Sequence, residues 1–201
     1  MTTWAIVPVK PLLRSKSRLA EVLTREEREV LSREMLEHTL GVLKLCDIVK
    51  GVLVVSRDPA ALSVAREYAV NTLQESGAPE LNTALTRASR VVTAWGATRI
   101  LILPSDLPLL TLADVQALLE NGHYPRQVVI SPDRREDGTN ALVMKPPDLF
   151  KLGYGVGSFN IHLQRAAETD THVREYRSPT LALDVDIPED LELYRELIAA
   201  G

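Results

Sequence analysis

Three aspartates and one run of basic residues are the side chains here whose types and spacing could do chemistry. Asp106 lies in Leu103-Pro104-Ser105-Asp106-Leu107-Pro108, directly after the apolar run 99–103. A carboxylate between apolar neighbours at a strand's end is costly to desolvate unless it meets a cation or hydrogen-bond donors. Its plainer role would be to cap the turn into the next helix, although Thr111 already offers a cap there. Asp184 and Asp186 lie in Leu183-Asp184-Val185-Asp186-Ile187-Pro188. Two apart in an extended strand, they face the same way, and such like charges repel unless a cation lies between them or one meets solvent. The alternative makes Asp186 a helix cap and Asp184 an exposed strand residue. Taken together, Asp106, Asp184 and Asp186 read as a metal centre for Mg²⁺, which takes one or two carboxylates plus substrate phosphates and water. Removing one of these charges is then expected to relieve repulsion in the metal-free protein and leave it at least as stable.

The basic run is Pro8-Val9-Lys10-Pro11-Leu12-Leu13-Arg14-Ser15-Lys16-Ser17-Arg18, which follows the first apolar stretch. Lys10, Arg14, Lys16 and Arg18 could clamp a polyphosphate, with Lys10 and Lys16 joining Asp106 in catalysis. The glycines and the Gly-Lys-Ser/Thr ending of a Walker loop are missing. A solvated basic loop is the alternative. A further segment, Asp137-Gly138-Thr139-Asn140, precedes Gly153-Tyr154-Gly155-Val156-Gly157-Ser158. Alternating glycines running into a helix that starts near Ser158 would offer backbone N–H groups and a positive helix terminus to an anion. Asp137-Gly138 reads equally well as a hairpin turn. His38, His123, His162 and His172 lack metal-ligand spacing, and no Ser-His-Asp arrangement is legible. Glu189, Asp190 and Glu192 read as a solvated face with favourable first-turn charge on the last helix.

These residues need a frame. Short β-type runs at 4–7, 51–56, 99–103, 127–130, 140–144 and 181–186 alternate with helical patterns. Thr24 with Glu27, and Thr111 with Asp114, are capping boxes; Asp58-Pro59 and Pro188 mark two further helix starts. Strands and helices in alternation imply a three-layer α/β domain on a mainly parallel sheet, with residues 1–201 as one domain. In such sheets ligands sit beyond the carboxyl ends of the strands, where the loops after the first and third runs lie. The composition, 45% hydrophobic and 25% charged, excludes a disordered chain. No apolar run reaches the roughly 18 residues of a membrane span. The formal charge of −4 does not point to nucleic acid. Cys46 stands alone, which excludes an internal disulfide framework and suits a reducing compartment. With no signal-peptide pattern at Met1-Thr2-Thr3-Trp4, a cytoplasmic location is expected.

The ordered set of segments resembles one family from end to end: the guanylyltransferases that activate 2-phospho-L-lactate or phosphoenolpyruvate in making the deazaflavin coenzyme F420. The matching residues are Val7-Pro8-Val9-Lys10-Pro11-Leu12, Ser15-Lys16-Ser17-Arg18-Leu19, Leu81-Asn82-Thr83-Ala84-Leu85, Leu103-Pro104-Ser105-Asp106-Leu107-Pro108, Asp137-Gly138-Thr139-Asn140-Ala141-Leu142, Gly155-Val156-Gly157-Ser158-Phe159 and Leu183-Asp184-Val185-Asp186. The resemblance implies a Rossmann-like fold of the nucleotide-diphospho-sugar-transferase type, with GTP and a small phosphorylated carboxylic acid as substrates. It also implies Mg²⁺ as cofactor and pyrophosphate as leaving group. Thr139, Gly155 and Ser158 would contact the acceptor; Gly155 is chosen because it keeps three-residue spacing to Ser158. Asn82 and its neighbours would line the nucleoside pocket. Oligomeric state stays open, a homodimer being one option. Two alternatives stand beside this reading. One is another nucleotidyltransferase of the same fold, CTP-using or of the molybdenum-cofactor type. The other is a non-catalytic nucleotide-binding module, against which the intact carboxylates weigh.

Overall fold

The continuous apolar runs form the middle of one sheet. A computed structural model describes residues 1–77, 80–120 and 124–200, and the account below concerns these. The first half alternates strand and helix: β1 (Thr3–Pro8), α1 (Arg25–Leu45), β2 (Val49–Ser56), α2 (Pro59–Glu67), β3 (Asn71–Gln74), α3 (Leu81–Ala94) and β4 (Arg99–Ile102). Then follow α4 (Leu112–Leu119), the hairpin β5 (Gln127–Pro132) and β6 (Thr139–Lys145), α5 (Ser158–Ala167), β7 (His172–Glu175), α6 (Pro179–Ala182) and α7 (Pro188–Ala200). The strand order is β3-β2-β1-β4-β6-β5-β7. Only β6 runs antiparallel to its neighbours β4 and β5, so the sheet is mainly parallel as expected.

The two-residue period of the strands divides the core into two layers. Ala5, Val7, Val52, Val54, Leu101 and Leu103 face one way, against Leu36, Leu40 and Leu43 of α1 and parts of α2 and α4. Ile6, Leu53, Val55, Ile100 and Ile102 face the other way, against Leu85, Ala88 and Val92 of α3 and Phe159 of α5. Fully burying one such side chain contributes roughly 1.5–3 kcal/mol. The frame is therefore stiff enough to hold irregular loops at its edge. All four helix starts are where their signals put them: Thr24 and Thr111 make complete capping boxes, Asp58 caps α2, and Pro188 opens α7. Among the described residues no helix is long and apolar enough to cross a membrane.

Two strands escaped the pattern reading. β3 (Asn-Thr-Leu-Gln) and β7 (His-Val-Arg-Glu) are half-exposed edge strands, where polar residues are tolerated and the apolar run is lost. One expected strand is absent: 181–186 is not part of the sheet. Pro179 starts a single helical turn instead; the Asn140 carboxamide takes the Leu181 and Ala182 carbonyls, and the Arg134 N–H shares the second. Beyond it the backbone is extended, with Leu183 and Val185 buried and Asp184 and Asp186 partly exposed, so the alternation inferred from the sequence survives without the strand. A third small cluster, Leu19, Met35, Val185 and Leu191, fastens this segment to α1 and to the basic loop.

β1 lies between β2 and β4, and the chain leaves it toward β2 on one side before returning to β4 on the other. That switch point opens a crevice at the carboxyl ends of β1 and β4, and the loops carrying Lys10, Lys16 and Asp106 border it.

Candidate active site

The loop after β1 is folded back on itself rather than splayed into solvent. The Leu12 N–H donates to Asp58 Oδ2 at 2.7 Å, so the residue that caps α2 also anchors this loop. Ser15 Oγ donates to Leu12 O and meets Ser32 Oγ of α1 at 2.6 Å. Lys16 then adopts a left-handed backbone, φ 54 and ψ 36, which turns its side chain inward. The side chain is 5% exposed, and its ammonium lies 2.7 Å from Asp106 Oδ2 and 3.4 Å from Asp186 Oδ1. Arg18 stays in solvent, with Nη1 3.5 Å from Asp186 Oδ2. Lys10 is exposed on the cleft wall, and Arg14 is exposed without lining the cleft.

The segment with Asp184 and Asp186 reaches this point by two ties. The Val185 N–H donates to Asp106 O at 3.3 Å, which joins the loop after β4 to it directly. Asp190 Oδ2 accepts the Asp186 and Ile187 N–H groups, while its Oδ1 takes Arg134 and Arg135. Asp190 is fully buried, contrary to the solvated face expected from its charge pattern. It caps the start of α7 instead.

The three carboxylates are not alike. Burial opposes ionisation of Asp106, but the Lys16 ammonium outweighs it, with Lys10 adding, and the carboxyl is held below the usual range. Burial likewise opposes the charge on Lys16, and its two aspartates more than restore it. Asp184 is pushed up to about 6, first by burial and then by the Asp106 charge, against a long donation from Asn140 Nδ2 (3.5 Å) and a backbone N–H. It forms no ion pair among the described residues. Raised proton affinity marks uncompensated negative charge, so the Asp106–Asp184 side fits a hard divalent cation in sign and in donor chemistry. Asp186 faces Lys16 and Arg18. Among the described residues no three His, Cys, Asp or Glu side chains are already gathered around one metal position. Of the three carboxylates expected around Mg²⁺, Asp106 and Asp186 share the Lys16 ammonium, and Asp184 stands beside them.

A cleft of about 320 Å³ opens over Lys10, Lys16, Asp106 and Asp186 and extends across β2 to Arg57, Glu75 and Glu80. Beyond these lies a second hollow of about 250 Å³, which shares Glu75 and Glu80 and adds Gln74 and Arg87. Arg57 Nε is buried without a hydrogen-bond partner among the described residues, and Glu75 Oε2 is 3.8 Å from it. Sequence reasoning missed both. Arg57 directly follows a strand that was legible, and its position there was the available signal; Glu75 follows β3, which was not recognised.

Asn82 does not line the cleft. Its Oδ1 accepts the Tyr154 N–H at 2.7 Å and its Nδ2 donates to Tyr154 O at 3.0 Å, so the side chain pins the glycine segment to the start of α3. The neighbouring Glu80 and Leu81 face the cleft in its place.

The Thr139, Gly155 and Ser158 group lies on the α5 side, next to Asn140 and hence Asp184, but outside the cleft. Thr139 and Ser158 are buried with their hydroxyls 3.2 Å apart, while Gly155 (φ 139) is exposed in the turn before α5. The backbone cradle expected here is partly filled by the chain itself. Gly157 N–H donates to Asp137 Oδ1, Phe159 N–H to Asp137 O, and Ser158 N–H to Gly155 O. Asp137-Gly138 does belong to the β5–β6 hairpin, through the Asp133 N–H to Gly138 O bond. The two hydroxyls add polar capacity for a ligand beside this turn. Thr139 Oγ1 also meets His162 Nδ1 at 3.0 Å. His38 bonds Leu110 O and His172 stacks on Tyr124, while His123 lies outside the described residues.

Comparison with known proteins agrees with this geometry. Residues 3–201 match the family described as guanylyl transferase CofC like. A phosphoenolpyruvate guanylyltransferase of Rubrobacter xylanophilus is 43% identical over 191 residues, covering 95% of this chain and 92% of that protein. A 2-phospho-L-lactate guanylyltransferase of Methanothermobacter thermautotrophicus is 38% identical over 191 residues, covering 95% and 83%. Among solved structures, one described as a nucleotide-diphospho-sugar transferase from Desulfovibrio desulfuricans G20 superposes with a TM-score of 0.74, covering 98% of this chain and 88% of that one. At 19% identity it speaks for the fold alone. With a family model matching residues 3–201 and relatives of this identity covering nearly all of it, the chain belongs to the guanylyl transferase CofC-like family.

Proposed function

We propose that this protein transfers GMP from GTP to the phosphate of a small phosphorylated carboxylic acid and releases pyrophosphate, as a step toward coenzyme F420. Phosphoenolpyruvate is the first candidate acceptor and 2-phospho-L-lactate the second, in keeping with the named relatives. The observation that carries the reading is the cluster of Lys16, Asp106 and Asp186 at the switch point, with Asp184 beside it and Lys10 on the cleft wall.

In this reaction an acceptor phosphate oxygen attacks the α-phosphorus of GTP, and the bond from that phosphorus to the bridging oxygen of the β-phosphate breaks. The electron pair leaves with pyrophosphate. The attacking phosphate is already ionised near neutrality, so no general base is needed, and positioning with charge neutralisation carries the catalysis. Lys10 and Lys16 offset the triphosphate charge, and Arg18 and Arg14 add to the field at the rim. Asp106 and Asp184 would hold Mg²⁺, whose chemistry here is to neutralise phosphate oxygens. Thr139 and Ser158 would orient the acceptor, with Gly155 at the turn beside them.

The nucleoside belongs, in this proposal, on the β2–β3 side. Guanine presents an acceptor edge at O6 and N7 that suits arginine, and its N1–H and N2–H₂ donors suit a carboxylate. Arg57 and Glu75 supply that combination at the far end of the cleft. Cytosine offers a carboxylate one donor nitrogen, N4, where guanine offers two, which favours GTP over CTP. A cytoplasmic setting goes with the same proposal, since both substrates are phosphorylated metabolites. Acceptor-dependent pyrophosphate release, measured with GTP, CTP and ATP in turn, tests it: release with GTP alone supports the reading, and equal release with CTP removes the base assignment.

A further inference from the structure

His162 is fully buried on α5, and its sequence spacing is not that of a metal ligand. Its ring makes two hydrogen bonds with opposite requirements. The Gly153 N–H, which can only donate, points at Nε2 at 3.0 Å. Nε2 must therefore present its lone pair, and the one ring proton of the neutral imidazole sits on Nδ1. Nδ1–H accordingly donates to Thr139 Oγ1 at 3.0 Å. Burial pushes the imidazole down to about 4, with Arg165 adding, so the ring is neutral across the working range.

Glycine is required at 153 for this approach, since a Cβ there would lie 2.6 Å from Ile161 Cγ2. The Tyr154 ring meets the imidazole edge-on at 4.8 Å and fixes its plane.

The tautomer decides what the hydroxyl pair can do. Thr139 and Ser158 own two hydroxyl protons, and the bond between them uses one. With Nδ1 donating, neither goes to the histidine, so one proton of the pair is left uncommitted. Were Nε2 protonated instead, Thr139 would have to donate to Nδ1, and the pair would have no free donor. We propose that His162 is a positioning residue for the acceptor: by donating to Thr139 it leaves one hydroxyl proton of the Thr139–Ser158 pair free for the acceptor's phosphate or carboxylate. This rests on the assignment of that pair to the acceptor.

The test is steady-state kinetics with GTP and acceptor varied separately in His162→Asn, His162→Gln and Thr139→Val. An asparagine amide falls near the Nδ1 position and keeps the donation to Thr139. A glutamine amide reaches the Nε2 position and keeps only the Gly153 contact. Gln leaves the free proton on the pair but removes the Nδ1–H that holds it away from the histidine, and as the hydroxyl loses its orientation the acceptor KM is expected to rise by roughly tenfold. Asn should hold it within about threefold, with the GTP KM unchanged in both. The reverse order, Gln rescuing and Asn failing, makes His162 an anchor for the Gly153 loop and overturns the proposal. So does a parallel loss for both substrates, or no loss in either variant. An unchanged acceptor KM in Thr139→Val would instead sink the acceptor-site assignment itself. Should the variants not fold, ¹⁵N NMR of the parent's imidazole decides: an Nδ1–H tautomer supports the proposal, and an Nε2–H tautomer contradicts it.

Discussion

Lys16 Nζ lies 2.7 Å from Asp106 Oδ2, joining two loops that are 90 residues apart in sequence and meet only because β1 and β4 are neighbours. The pairing alters the energetic reading of the carboxylates. Repulsion alone predicts that removing a charge costs nothing, but the lysine is buried and depends on its partner. Asp106→Asn should therefore destabilise the protein. Losing one partner of a fully buried pair costs about 3–5 kcal/mol. Asp186 remains at 3.4 Å and Asp106 is 23% exposed, so roughly 1–3 kcal/mol is expected here. Denaturant melts in chelator check this, and an unchanged midpoint would show that the pair adds nothing to the fold.

Asp184 should behave in the opposite sense. Its native carboxyl, near 6, lies above its unfolded value of about 3.9, so the native state binds the extra proton. Stability is lost as pH rises through that window, and the penalty is complete above it. Asp184→Asn removes the penalty. The variant should match the parent near pH 4 and exceed it by up to about 3 kcal/mol at pH 8, while turnover collapses. Melting curves across pH on both proteins test the sign; a variant less stable at pH 8 refutes the charge imbalance.

Lys10 is exposed, so Lys10→Ala should shift stability by no more than about 0.5 kcal/mol. If Lys10 offsets charge on the triphosphate, kcat/KM for GTP should fall at least about tenfold. A variant that melts lower yet turns over normally would make the loop structural.

Glu75→Gln retains the shape of the side chain and removes the carboxylate that the N1–H and N2–H₂ of guanine would meet. A good base-reading pair is worth about 1–3 kcal/mol, so the preference for GTP over CTP should drop by roughly 5- to 150-fold. Comparing kcat/KM for the two nucleotides measures this directly, and an unchanged ratio would move the base elsewhere.

Much of this was legible in the sequence because the governing signals are local. Capping boxes, prolines at helix starts and uninterrupted apolar runs each depend on a few neighbouring residues, and the helix starts and central strands followed them. β3 and β7 were hidden because edge strands need no apolar run. The 181–186 segment misled because its alternation comes from burying Leu183 and Val185, while its carbonyls are taken by Asn140 and the Arg134 N–H and not by a neighbouring strand. In the site, Lys16 and the aspartates were recognisable as types at strand ends. That Lys16 would insert between two of them, or that Asn82 would spend its carboxamide on Tyr154, depends on contacts across the chain that spacing does not encode.

The most direct test of the central claim is mass spectrometry of the products formed from GTP and Mg²⁺ with phosphoenolpyruvate, 2-phospho-L-lactate or no acceptor. The account predicts a guanylylated acid, joined through a new phosphoanhydride, with one pyrophosphate released for each product and none without acceptor. Release of inorganic phosphate and GDP, or of pyrophosphate and free GMP regardless of acceptor, would contradict guanylyl transfer as the activity of this protein.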